Sequence, residues 1–364
     1  MEFSPDSRVL VTTSDDGTVI VWDPASAQVL ERLVGHGGRV HGLTLSADGR
    51  TLYTNSLDGA IFEWDLGNRR RFGRLFKTMV PAVQPPLGPD AQGTPPLAIS
   101  PDGSEFAVRV GLSTVALYST DAVRRRSEFT PEVGGEVIGM TWSHRGLLAV
   151  SGDDGHVQLW DVSRRPRLVR SLKGLRSINK QPEAVTTVEF SPDGRLVAAG
   201  DVNHTPFTIH YRYGSIAVWE ADSGKLLWKV RTKQGWVTAV PFSPDGRTIA
   251  VAREDGTVAL YDARTGQTMR KLRLGGGPGF GPVAAFAADG TLATGSGAGI
   301  EQLWDTATGA QIGHSTLVAA APVASIDFDS ASHTFVTTGG SDGVSNAGLG
   351  DTTNLHQARR PRFG

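Results

Sequence analysis

The 364-residue chain contains no cysteine. That excludes disulfides, thiolate metal sites and a cysteine nucleophile, and it accords with a reducing cytoplasm, the expected location. Charge of either sign in excess is also missing: 36 Lys and Arg stand against 37 Asp and Glu, a net charge of −1. A global electrostatic grip on nucleic acid or on an anionic membrane is thereby excluded. No long hydrophobic run exists; the longest, near residues 317–326, is too short to span a bilayer and holds Pro322. The opening residues, from Met1 to Asp6, lack the basic-then-apolar order of a secretion signal. With 39% apolar and 20% charged residues the composition is that of a folded chain. What is plentiful is glycine, 45 residues, beside 20 prolines, which points to many turns between short strands.

The chain repeats itself. Ser191-Pro192-Asp193-Gly194 recurs as Ser243-Pro244-Asp245-Gly246 and as Ser100-Pro101-Asp102-Gly103. Looser copies begin at Ser4, Ser46 and Ala287. Each follows a large apolar residue: Phe3, Leu45, Ile99, Phe190, Phe242 and Phe286. Trp142 and Phe328 hold the same place in two degenerate copies. About nineteen residues later comes an aromatic, usually followed by an acid: Trp22-Asp23, Trp64-Asp65, Trp160-Asp161, Trp304-Asp305, Tyr118-Ser119 and Tyr261-Asp262. Trp219-Glu220 comes later because its copy carries an insertion.

One unit can be read physically. Residues 185–190 form a short β-rich run. Ser-Pro-Asp-Gly is a turn, proline fixing φ and glycine taking positive φ. A second apolar run follows, then in several copies an Asp-Gly such as Asp16-Gly17 or Asp154-Gly155, a strong hairpin signal between alternating runs. A third strand alternates, with Val157, Leu159 and Asp161 on one side and His156, Gln158 and Trp160 on the other. A more polar fourth strand completes a sheet of about 43 residues, which cannot bury both faces alone and must stack on its neighbours.

On these residues the chain resembles the WD-repeat (WD40) family over residues 1–351. The resemblance implies an all-β fold, a β-propeller of four-stranded antiparallel blades around a central channel. It also implies a structural tetrad in one unit: His36, Thr54, Asp58 and Trp64, with Gly35 before the histidine. A buried indole N–H and a buried imidazole each need a partner, which is the physical reason for such a chain. Other units depart from it; most lack the Gly-His pair, and Val150 stands where a hydroxyl is expected. The aromatics Trp22, Trp160, Trp219, Tyr118, Tyr261 and Trp304 are expected in the blade cores.

Inner-strand residues count eight units, with a seven-bladed ring as the alternative. The first unit begins inside its inner strand, and the eighth is damaged: in Leu349-Gly350-Asp351 a glycine replaces the expected tryptophan. Residues 352–364 read as a flexible basic tail. The expectation is an actinobacterial-like piece of a larger multidomain protein, cut near both ends.

The family places the longest insertions on one face. They are residues 78–96, with six prolines, residues 174–183, and residues 201–214, with His204, Phe207, Tyr211, Arg212 and Tyr213. Residues just before the inner strands ring the channel mouth in the family; here they are Arg39, Glu136, Ala184, Trp236, Pro282 and Pro322. Trp236, Arg39, Glu136 and the five residues of the third insertion are the partner-binding candidates. No catalytic or metal site and no cofactor is assigned. Gly339-Gly340-Ser341-Asp342-Gly343 has the spacing of a nucleophile elbow but sits at a hairpin, not at a strand-to-helix turn. The arginine clusters 69–71, 124–126 and 164–167 read as solvated turns.

Three functions are weighed. The first is a non-catalytic scaffold for a protein or peptide partner, without nucleic acid or membrane, docking on the loop-rich face. The second is the sensor region of a larger bacterial signalling protein, linked to a nucleotidase switch, transcriptional regulator or Ser/Thr kinase. The third is a propeller hydrolase or lactonase, for which the channel-mouth acids are thin: Glu136, Glu183 and Asp201.

Overall fold

The computed structural model describes residues 1–14, 16–46, 48–56, 60–67, 74–77, 97–120, 124–173, 175, 184–202, 214–232, 235–274, 282–317, 322–328, 334–341 and 344–351. They form eight antiparallel sheets, seven of four strands and an eighth of three, and no helix. In every sheet the strands follow chain order, so each sheet is one repeat unit. Inner strands of successive sheets touch around the whole set, and the last, Val323–Phe328, touches the first, Glu2–Phe3. The product is a β-propeller of eight blades, the eighth lacking a fourth strand among the described residues.

The Ser-Pro-Asp-Gly motif and its looser copies explain how the first two strands are joined in five blades. In blade 5, Ser191 Oγ donates to Asp193 Oδ1 at 2.6 Å, and the same oxygen accepts from the Leu196 amide at 2.9 Å. Asp193 also accepts from the Arg195 amide at 3.0 Å. This closed circuit recurs at Ser4, Ser46, Ser100 and Ser243, with the hydroxyl–carboxylate bond at 2.6 to 2.7 Å. The serine hydroxyl, followed by a backbone amide, holds Asp6, Asp48, Asp102 and Asp245 below the usual carboxylate range. The fourth residue turns the chain at positive φ: Gly194 at 66° and Gly246 at 68°, while in blade 1 Ser7 must adopt 59°. The acid after the blade aromatic caps the next turn in the same manner; Asp161 accepts from the Ser163 amide and hydroxyl at 3.1 and 2.7 Å.

The core lies between blades. Apolar clusters join each consecutive pair from blades 1 and 2 through blades 7 and 8. Between blades 5 and 6, for example, Ala198, Ile216 and Val218 meet Val237, Val240 and Phe242. Among the described residues, the cluster around Phe3, Leu10 and Trp22 stays within blade 1. Across the seam between blades 8 and 1, the Phe3 amide donates to Asp327 Oδ2 at 3.1 Å.

The tetrad in blade 2 is built on Thr54, whose Oγ1 lies 2.8 Å from His36 Nε2 and accepts from Trp64 Nε1 at 2.8 Å. Asp58 lies outside the described residues. Half of this arrangement recurs elsewhere: Trp22 donates to Thr12 and Trp304 to Thr294, each at 2.9 Å. The remaining indoles find other acceptors, Trp160 the Gln158 side chain at 3.2 Å and Trp219 the Lys173 carbonyl at 2.9 Å. Trp219, Tyr261, Trp304 and Trp22 are buried, whereas Trp160 and Tyr118 are half-buried, stacked against Phe129 and Phe106.

A circumferential latch ties the rim. Trp228, on the outer strand Leu226–Arg231 of blade 5, donates to the Ala263 carbonyl of blade 6 at 2.9 Å. Its ring lies over Gly266, where a Cβ would meet Trp228 at 2.6 Å and φ is +69°. At the equivalent place Arg270 of blade 6 donates to Ala307 of blade 7 at 3.1 Å. Arg126 of blade 3 donates to the carbonyls of Val162, Ser163 and Arg164 at 2.9 to 3.1 Å. One member of an arginine cluster expected to be solvated is therefore a tie between blades.

Candidate protein-binding face

One end of the ring is defined by the residues that enter the inner strands. Val40, Val137, Val185, Val237 and Val323 are buried at these entries. The strand register shifts immediately after each of them, so one residue is extruded as a β-bulge. Hydroxyls then bind entry carbonyls across the seams: Ser151 to Val185 at 3.1 Å, Thr186 to Val237 at 3.3 Å, and Thr238 to Pro282 at 2.6 Å. A buried valine in a fixed bulge sets the direction of the residue before it. Arg39, Glu136, Trp236 and Pro322, with Ala184 at the strand start, consequently occupy corresponding places around this end, and Pro282 precedes the inner strand of blade 7, which has no such bulge.

Their environments differ. Arg39 is exposed, Trp236, Ala184 and Pro322 are half-buried, and Pro282 is buried. Glu136 is joined in an ion pair to Arg109 of blade 3, with 12% and 7% of the two side chains exposed. Arg109 Nη1 also donates to the Val137 carbonyl at 2.7 Å. This pair ties blades 3 and 4 at the channel mouth, a role that the position of Glu136 in the sequence did not signal.

The root of the third insertion stands beside Trp236. A Cβ on Gly214 would lie 2.8 Å from the Trp236 Cα and 2.8 Å from the Asp201 carbonyl oxygen. Thr232 pins the same corner, its Oγ1 donating toward Gly235 O at 2.7 Å and accepting from the Gly214 amide at 2.8 Å. The side chain of Asp201 is fully buried and accepts from the Ser215 amide. The structure thus brings the backbone of Gly214 against both Trp236 and Asp201. His204, Phe207, Tyr211, Arg212 and Tyr213 lie outside the described residues, as do Glu183, the proline-rich residues 78–96 and the tail 352–364.

Deeper along the channel, Glu2, Glu189 and Asp327 occupy matching positions, one residue before the inner-strand aromatic of blades 1, 5 and 8. Burial pushes the Glu189 carboxyl up to about 7, and burial does the same to Glu2, opposed by a hydrogen bond from the Leu45 amide. Among the described residues no three His, Asp or Glu side chains are grouped as metal ligands. No helix there is long and apolar enough to cross a membrane. Gly339, Gly340 and Ser341 lie on a strand, Thr334–Ser341, and not at a strand-to-helix turn.

The WD domain, G-beta repeat family matches residues 1–23, 27–65, 127–161 and 172–205, and the anaphase-promoting complex subunit 4 WD40 domain matches residues 208–278. These are WD40 repeats. The WD-repeat chain is 29% identical over 141 residues to nuclear distribution protein PAC1 of Arthroderma benhamiae, covering 39% of this chain and 29% of that protein. It is 27% identical over 166 residues to transcription initiation factor TFIID subunit 5 of Caenorhabditis elegans, covering 45% and 23%. Human coronin-7 is 27% identical over 161 residues, covering 41% and 15%. The WD-repeat chain therefore aligns with less than a third of the length of these relatives. In fold it resembles the crystal structure of the computationally designed Ika8 protein, with a TM-score of 0.71 at 20% identity over 93% of this chain and 92% of the other.

Proposed function

We propose that this propeller is a non-catalytic scaffold that binds a protein or peptide through the face carrying Arg39, Trp236 and the 203–213 segment. The observation that carries the reading is the close approach of Gly214, the first described residue after that segment, to the backbone of Trp236. Trp236 is half-buried, and the sequence of the adjoining insertion holds Phe207, Tyr211, Arg212 and Tyr213, residue types on which interfaces concentrate their energy. The entry valines and seam hydrogen bonds hold this end in one geometry, which lowers the ordering cost of binding. The acids that an enzyme would need there are engaged elsewhere, Glu136 with Arg109 and Asp201 with Ser215.

The test is affinity capture by the full chain, followed by simultaneous replacement of Trp236, Tyr211 and Arg212 by alanine. Capture is expected to be lost with the circular dichroism spectrum unchanged; retained capture would refute this face as the docking site. Esterase, lactonase and metal assays on the same protein check the non-catalytic part of the reading. A cytoplasmic location belongs to the proposal, on the absence of cysteine. Linkage to a bacterial signalling domain is a separate reading, motivated by 45 glycines and by the predominance of arginine over lysine among the 36 basic residues. A continuing reading frame upstream of Met1 is its test.

A further inference from the structure

The outer strands of blades 4, 5 and 6 share one chemistry over three blades in succession. Strands Arg167–Leu172, Leu226–Arg231 and Thr268–Arg273 together carry seven Arg and Lys and no Asp or Glu. Of the other outer strands, Gln28–Val34 contains Glu31 with Arg32, Arg125–Phe129 contains Glu128, and Gln311–Leu317 holds no Lys, Arg, Asp or Glu; Arg74–Lys77 of blade 2 carries two basic residues and no acid, but its neighbours on both sides are mixed. In a chain of net charge −1 this is a local concentration of positive charge on three consecutive blades. Each of the three strands also exposes an apolar side chain near its start: Leu168 at 42%, Leu226 at 39% and Met269 at 44%.

The spacing of these strands is fixed. Trp228 bonds blade 6, Arg270 bonds blade 7, and the Arg170 side chain lies over Gly224 of blade 5, its Cδ 3.3 Å from where a Cβ would be. Backbone carbonyls accept from these arginines without cancelling their charge. We propose that this rim is a second docking surface, for an acidic amphipathic segment of a protein partner. Charge complementarity selects the acidic side chains. The exposed Leu168, Leu226 and Met269 select a partner with an apolar stripe, which a phosphate backbone does not offer. The strands lie on the convex circumference of the ring, where a flat bilayer meets few of them at once. Basic side chains on sheet edges also deter edge-to-edge pairing. A charge of opposite sign does that equally well, so charge reversal separates the two roles.

The surface is distinct from the loop face and its test is independent of it. The full chain is titrated with a labelled synthetic amphipathic helix of glutamate and leucine. Parallel titrations use the same peptide with serine for leucine, phosphatidylserine vesicles and duplex DNA. The glutamate–leucine peptide is expected to bind best, and binding is expected to weaken as salt is raised. Combined Arg167→Glu, Lys229→Glu and Lys271→Glu is expected to weaken it by roughly tenfold or more. Trp236→Ala is expected to leave it unchanged. Equal affinity of the charge-reversed chain, equal binding of the serine peptide, or tighter binding of vesicles or DNA each overturns the assignment. The salt titration of the unaltered chain stands even if the triple variant folds poorly: salt-independent binding also overturns it.

Discussion

Trp228 Nε1 donates to the Ala263 carbonyl oxygen at 2.9 Å, joining the outer strand of one blade to the turn of the next. The indole is 9% exposed and its ring covers Gly266, so the bond is shielded from water. Trp228→Phe keeps most of the apolar contact but leaves the Ala263 carbonyl without this donor. The expected loss is about 1–2 kcal/mol in denaturant unfolding. An unchanged midpoint would show that water replaces the indole and that the latch adds nothing to stability.

Thr54 and Thr12 occupy corresponding positions but carry different loads. Thr54 Oγ1 serves both His36 and Trp64, while Thr12 Oγ1 serves Trp22. Replacing the hydroxyl by a methyl at Thr54 removes a partner from two buried groups; at Thr12 it removes a partner from one. Thr54→Val is expected to cost about 2–4 kcal/mol and Thr12→Val about 1–2 kcal/mol. Equal losses would mean that the imidazole adds nothing to blade 2.

The contrast shows what a single sequence can and cannot reveal. The blade aromatics, the Ser-Pro-Asp-Gly circuits and the eight units are local, each contained in a stretch of a few tens of residues, and repetition makes them visible. The His36–Thr54–Trp64 part of the tetrad was legible in blade 2 because Gly35-His36 flags it. Its Thr12–Trp22 and Thr294–Trp304 halves were not, for a threonine ten residues before a tryptophan attracts no attention without the histidine. The latches were hidden for a different reason. Arg126, Trp228 and Arg270 bind residues about 35 to 38 positions further on, in the neighbouring blade, so their own surroundings read as a polar edge strand. Glu136 was placed correctly at a strand entry, but its partner Arg109 sits 27 residues earlier on another blade.

Ser7 occupies the position that glycine fills in other copies of the motif, with φ of 59°. A side chain in the left-handed region carries a backbone penalty that glycine does not, partly offset by glycine's greater freedom in the unfolded chain. Ser7→Gly is expected to stabilise by about 0.5–1 kcal/mol, read as a higher denaturant midpoint at unchanged slope. Destabilisation would mean that the serine side chain contributes more than its conformation costs.

The seams are not equivalent. Among the described residues, apolar clusters bridge blades 1 to 2 and onward to blades 7 to 8, whereas the cluster containing Phe3 stays within blade 1, and its strand reaches blade 8 through the bond to Asp327. Local opening should therefore begin at the strand Glu2–Phe3. In native-state hydrogen exchange the Phe3 amide is expected to lose protection well before that of Ala199, which is fully buried in blade 5. Equal protection of the two would show that the ring closes as firmly at this seam as elsewhere.

Glu301 sits 4% exposed between blades 7 and 8, where the Thr337 hydroxyl donates to it. Burial raises its carboxyl from 4.5 to about 7, the threonine bond opposing the shift. Between those two pH values the folded chain retains a proton that the unfolded chain has released. Unfolding free energy consequently falls as pH rises through this window, by roughly 3 kcal/mol from this group. Glu2 and Glu189, also raised to about 7, act in the same direction. The turn aspartates have lowered values, so their stabilisation is lost only under more acidic conditions and does not mask the effect. Glu301→Gln keeps a neutral group of the same shape at the seam. Stability measured from pH 4.5 to 7.5 is expected to decline less steeply in this variant than in the unaltered chain. The two curves should converge near pH 4.5, where the native carboxyl is protonated. Parallel curves would mean that Glu301 is solvated and ionised at neutral pH, and that the seam tolerates its charge.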